Sequence, residues 1–131
     1  MRFLEGKEGY ASLFLRLGLG FMFVWFGVDK FFNPGLWTGF IAPFILKLVP
    51  FSATAFIYVL GVVESLVGTL LLLGFFTQEA ALVASLVMFG VTTTIGFNDV
   101  TVRDIASLCA AVALMLRPES VFALDKLRKS R

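Results

Sequence analysis

Four apolar runs, Tyr10 to Phe32, Thr54 to Phe76, Ala80 to Phe97 and Val102 to Leu116, follow one another with little chain between the last three. A helix of about 20 apolar residues crosses the roughly 30 Å of bilayer hydrocarbon. Such runs, the last of them short, restrict the chain to a bundle of membrane-spanning helices. A soluble domain this small must show water a mostly polar shell, and the stretches between the charges supply none. With 59% hydrophobic residues, 15% charged residues and a mean hydropathy of +0.93 over 131 residues, lipid is the expected solvent and one domain the expected organisation.

The breaks between runs carry turn chemistry. Asn33-Pro34-Gly35 ends the first run, Gly74 to Glu79 makes a hairpin between the second and third, and Asn98-Asp99 turns into the fourth. Leu36 to Phe51 is apolar but interrupted by Gly39, Pro43 and Pro50, which predicts a re-entrant or interfacial segment with Trp37 at headgroup depth. Beyond Pro118, Val121, Phe122, Leu124 and Leu127 sit among Asp125, Lys126 and Arg128, the pattern of a short amphipathic helix lying on the bilayer. The expected fold class is therefore an all-α membrane protein, a four-transmembrane-helix bundle with those two additions. The first run is too long, and lacks the small-residue cleavage pattern, for a removable signal peptide, so it is expected to stay as an anchor.

Charge sets the expected orientation. Four spans bring both termini to one side, where Arg2, Lys7, Arg117, Lys126, Arg128, Lys129 and Arg131 outweigh Lys30, Lys47 and Arg103 on the other. Basic residues favour the cytoplasmic side, so a multi-pass protein of the cell membrane with both ends cytoplasmic is expected. The formal charge of +2 is concentrated in the tail as membrane-edge chemistry, and no nucleic-acid partner is expected. Haem b and most copper, zinc and non-haem iron centres rely on imidazole, and the chain has no histidine, so no metal-held cofactor is expected. Cys109 is the single cysteine, which excludes an intrachain disulfide or a two-cysteine relay. Among its alanine neighbours it reads as a buried apolar filler.

Candidate chemistry rests on the few charges inside or at the ends of the runs. Glu64 falls near mid-bilayer, where a carboxyl must face the bundle, be neutral, or both. Gly61 and Gly68 share its helix face and allow another backbone to come close. Its functional reading is a proton relay or a hydrogen-bond partner for a polar headgroup such as a quinone; its structural reading is a carboxyl that fixes helix packing. Arg16, Gly20, Phe23, Gly27 and Lys30 form one stripe of the first run, a packing seam bounded by two cations. Arg16 either snorkels to interfacial phosphates or reaches Glu64. Asp29 and Lys30 close the first run on the face where Arg103 and Asp104 open the fourth, so cross-pairing is expected, as staples or as a gate. Asp104 also suits a helix N-terminus. Arg103, Ala106, Ala110, Ala113 and Arg117 predict a small-residue packing face, and Thr92, Thr93 and Thr94 hydroxyl contacts between helices.

Taken in order, Arg16-Leu17-Gly18-Leu19-Gly20 with Gly27 and Lys30, then Gly61-Val62-Val63-Glu64 with Gly68, the hairpin Leu71 to Thr77, Ala80-Ala81 and Arg103-Asp104 resemble the DoxX family of small four-helix membrane proteins. The resemblance runs from about Leu13 to Leu124, and departs at Gln78-Glu79, where a basic residue often follows the threonine. It implies a relative of the membrane subunit of thiosulfate:quinone oxidoreductase, with kin in sulfur metabolism and oxidative-stress complexes. Three functions are weighed. The first is a subunit of a quinone-linked oxidoreductase, with Glu64 and Arg16 lining a headgroup pocket and Asp29, Lys30, Arg103 and Asp104 gating it. A partner redox subunit, soluble or membrane-bound, would then supply electrons. The second is a non-catalytic scaffold or adaptor, and the third a small-solute or lipid carrier with a polar cavity at Glu64. Membrane lipid is an expected partner, as is a second copy through glycine or alanine faces.

Overall fold

Proline and glycine divide the chain into seven helices among the residues described by a computed structural model, 6–95, 99–117 and 121–129. They are α1 (Glu8–Phe32), α2 (Pro34–Thr38), α3 (Pro43–Leu48), α4 (Ala53–Leu73), α5 (Thr77–Thr94), α6 (Asp99–Leu116) and α7 (Asp125–Lys129). Pro34 and Pro43 each open a short helix at its first position, where the missing N–H would have no partner in any case. Ser52 caps α4 by accepting from Ala55 N–H at 3.3 Å. Helices α1 and α4, with 25 and 21 residues, are long and apolar enough to cross a membrane.

Helix ends differ from the expected runs for identifiable reasons. α4 stops at Leu73, short of Phe76, because Gly74 takes φ +65°; its N–H and that of Phe75 then return to the carbonyls of Leu71 and Leu70. Only a residue without Cβ adopts that conformation at no cost. α5 begins at Thr77, three residues before the expected Ala80, and α6 begins at Asp99 rather than Val102. Asp99 therefore occupies the first turn of α6, and Asp104 lies in the second turn instead of at the N-terminus. The expected turn residue Asn98 and the end of the third run at Phe97 lie outside the described residues.

Helices α1 and α4 pack antiparallel along the most extensive interface. The seam is the stripe itself, with Ser12 and Leu19 added: Arg16, Gly20, Phe23, Gly27 and Lys30 are all buried. Glycine makes the closeness possible. A Cβ on Gly27 would stand 2.6 Å from Ser65 N and 2.9 Å from Gly61 O, and one on Gly68 would stand 2.6 Å from Val24 N. Contacts that short force backbones apart, so glycine is required on both helices. Leu19, Phe23, Val67, Leu71, Ala84, Met88, Ala111 and Leu114 join the core between this pair and the α5/α6 pair.

Three packing expectations are corrected. α6 buries Thr101, Asp104, Ala111 and Leu114, so Arg103, Ala106, Ala113 and Arg117 of the expected face are exposed and Ala110 alone packs, half-buried, against the core. Cys109 is exposed rather than buried. The hydroxyls of Thr92, Thr93 and Thr94 bond to carbonyls of their own helix, three or four residues back, instead of bridging helices.

The tail is a built part of one end of the molecule. Asp125 accepts from the N–H groups of Phe76 and Thr77 at 2.9 Å each, and its own N–H bonds Gly74 O at 2.9 Å. This distant carboxylate satisfies the first donors of α5, which explains why that helix starts early. Ala123 is buried, and the helix that follows has only five residues. Ser12 Oγ donates to Arg117 O at 2.7 Å, and Arg117 pairs with Glu8 on the same end.

Candidate functional site

At the other end of the α1/α4 seam, helix periodicity puts Lys30 one turn beyond Gly27 and Glu64 one turn beyond Gly61, on facing sides of two backbones in contact. Lys30 Nζ lies 2.6 Å from Glu64 Oε2, and both side chains are under 5% exposed. Burying two charges is costly unless they pair closely, and here they do. The remaining directions of the ammonium are occupied too: Phe26 O accepts at 3.4 Å, and the Trp37 ring lies over Nζ with its centroid 3.7 Å away.

Trp37 is held in that position from α1. Its Nε1 donates to Asp29 Oδ2 at 2.8 Å, while Asn33 Nδ2 donates to Asp29 Oδ1 at 2.7 Å. The Phe26 ring meets the indole edge-on, centroids 5.6 Å apart. Asp29 thus fixes the aromatic group that covers Lys30.

Beside the ion pair lies a cavity of about 250 Å³, whose apolar wall includes the aromatic rings of Phe26, Trp37, Phe40 and Phe56. Lys30, Glu64, Arg103 and Asp104 are its charged lining. Arg103 donates through Nε and Nη2 to Asp104 Oδ1, both at 3.0 Å, and its guanidinium stands 5.2 Å from the Phe26 ring. The Asp104 carboxylate is buried, whereas the Arg103 side chain is 53% exposed. An apolar, aromatic-walled chamber with a few charges at one side suits a flat ring bearing polar substituents. Among the described residues no group of three or more acidic or cysteine side chains is arranged to hold a metal ion.

Of the six charged residues singled out from the sequence, the structure brings four to the cavity: Glu64, Lys30, Arg103 and Asp104. Asp29 stands behind it, through Trp37. Arg16 is elsewhere: it does not reach Glu64, and its Nη2 donates to Phe122 O at 3.0 Å under the tail. The antiparallel register sets Arg16 against Gly74, where a Cβ would overlap Nη1. Ten residues of α4 separate Gly74 from Glu64, about 15 Å of helix, beyond the reach of the two side chains. The expected cross-pairing of Asp29 and Lys30 with Arg103 and Asp104 gives way to pairs within or beside each helix, because Glu64 and Trp37 engage Lys30 and Asp29 first.

Sequence reasoning missed the cavity wall. Trp37 was expected at headgroup depth, with no sign that it would cover Lys30; no periodicity links a residue of α2 to the last turn of α1. Ser12, by contrast, lies one turn before Arg16 on the same stripe, and that spacing marks it. The Leu36 to Phe51 segment supplies Trp37, Phe40, Ile41 and Ile45 to the cavity, although neither short helix buries any residue fully.

A family model described as DoxX matches residues 11–97, well over half of the chain, and the protein belongs to the DoxX family. With its two long apolar helices, it is a membrane protein. No curated protein and no solved structure matches the chain.

Proposed function

We propose that this DoxX-family membrane protein binds the headgroup of a quinone or quinol and serves as the membrane subunit of a quinone-linked oxidoreductase. The observation that carries the reading is the buried Lys30–Glu64 pair set against an aromatic-walled cavity. An intramembrane ion pair is expensive to maintain, and a charge beside an apolar chamber is the usual mark of a ligand or proton site. A cavity of about 250 Å³ accommodates a ring but not an isoprenoid tail, which would extend into lipid.

In this reading α1, α4, α5 and α6 all span. The two 18-residue helices α5 and α6 are each about 27 Å long, close to the hydrocarbon thickness. The tail, Glu8, Arg117 and Gly74 gather at one end, which the excess of basic residues assigns to the cytoplasm. The cavity then opens toward the outer leaflet. A partner subunit exchanges electrons with the bound ring.

The test is purification in native lipid, solvent extraction, and quantification of total quinone after full oxidation. Stoichiometric quinone in the wild type, lost in Glu64→Gln and in Trp37→Leu, is the expected result. Quinone no more abundant than in bulk lipid would move the assignment to a scaffold. That second reading has one observation in its favour: every direction of the Lys30 ammonium is already occupied by protein, as in a structural staple.

A further inference from the structure

Away from Arg103 at its rim, the hydrogen-bonding capacity of the cavity is one-sided. Its most buried donor, Lys30, has three N–H groups, and they meet Glu64 Oε2, Phe26 O and the face of Trp37. Arg103 directs Nε and Nη2 at Asp104 Oδ1, and the rest of its guanidinium belongs to an exposed side chain at the rim. The acceptors are different. Glu64 Oε1 accepts no hydrogen bond among the described residues, and neither does Asp104 Oδ2, although both residues are about 95% buried and line the same cavity. A carboxylate offers two oxygens, and here each carboxylate has one taken and one unused.

A ligand that donates to an acceptor lining a largely apolar cavity gains over one that cannot. A quinone carries carbonyls, which only accept; facing two carboxylate oxygens it meets lone-pair repulsion and finds spare donors only on the exposed Arg103 at the rim. A quinol carries two hydroxyls, which donate. Resting on the headgroup reading above, we infer that the cavity selects the reduced, dihydroxy-aromatic form, with one hydroxyl donating to Glu64 Oε1 or to Asp104 Oδ2 and the ring stacked among Phe26, Trp37 and Phe56. The Lys30 and Arg103 pairings then have a second role: each engages one oxygen of its carboxylate and leaves the other as an acceptor.

Three probes of one ring size separate this inference from the reading beneath it: 1,4-dihydroxynaphthalene kept reduced under anaerobic conditions, 1,4-naphthoquinone, and 1,4-dimethoxynaphthalene, in which the donors are methylated. Binding is measured by equilibrium dialysis on the intact chain in lipid nanodiscs. The dihydroxy compound is expected to bind about tenfold more tightly than either other probe, the effect of one charge-assisted hydrogen bond. Asp104→Asn and Glu64→Gln, each of which exchanges a carboxylate for an amide with a donor, are expected to narrow that preference; the first leaves the α1/α4 seam untouched should the second fold poorly. Equal affinity for the dihydroxy compound and the quinone would overturn the inference while keeping a ring-binding cavity. Equal affinity for the dihydroxy and dimethoxy compounds would overturn it in favour of apolar contact alone. Binding of none of the three would remove the headgroup reading itself.

Discussion

The two cations that bound the α1 seam have opposite surroundings. Lys30 meets a carboxylate on the neighbouring helix at 2.6 Å and borders a cavity. Arg16, equally buried, donates to a backbone carbonyl of the tail, and its Nε and Nη1 have no hydrogen-bond partner among the described residues. The countercharge that acts on it is Asp125, which is engaged with the N-terminus of α5. One end of the seam is thus a charge pair beside open space, the other a guanidinium sealed under chain. What differs is the partner: a residue of the adjacent span in one case, a segment more than 100 residues away in the other. Similar positions on one helical stripe therefore carry different work.

The largest effect expected from breaking this contrast comes from removing one half of the charge pair. Glu64→Ala leaves the Lys30 ammonium buried without a counterion, and a loss of about 3–5 kcal/mol in unfolding free energy in detergent is expected. Replacing both residues, Lys30→Met with Glu64→Leu, should recover most of it while ligand binding stays absent. A double variant as unstable as the single one would show that the pair is needed for packing rather than for charge balance.

At the tail end the expected change is smaller. Asp125→Ala removes two acceptors from the start of α5 and the negative charge that acts on Arg16, for a cost of about 1–2 kcal/mol. Proteolysis of the tail should accelerate with it, and the cavity end should keep its ligand affinity. Loss of affinity in this variant would mean that the two ends are coupled through the seam. The smallest effect is assigned to Glu8→Gln, which opens an ion pair whose side chains are 64% and 70% exposed. A change within about 1 kcal/mol, fading as salt is added, is expected in the same unfolding assay.

Helix periodicity made the seam legible: Arg16, Gly20, Phe23, Gly27 and Lys30 are spaced for one face, and that face is buried. Glu64 could be picked out because a carboxyl in an apolar run has few places to go. Its partner could not, since depth along two helices says nothing of the register between them. Gly20 against Gly68 and Gly27 against Gly61 set that register, and it carries Arg16 to the far end of α4. The small-residue face of α6 was misread for a related reason: alanine tolerates close packing without requiring it, whereas the buried side of α6 holds Asp104 and Leu114.

From the sequence alone, the chain's all-helical character, its membrane character and the buried stripe of α1 were determined, because they follow from the length, hydropathy and 3.6-residue spacing of single segments. Tertiary structure decided which carboxylate meets which cation, that Trp37 covers Lys30, and that the tail caps α5. Each of these joins segments whose distance in space is set by helix register and chain return, quantities that no local pattern encodes.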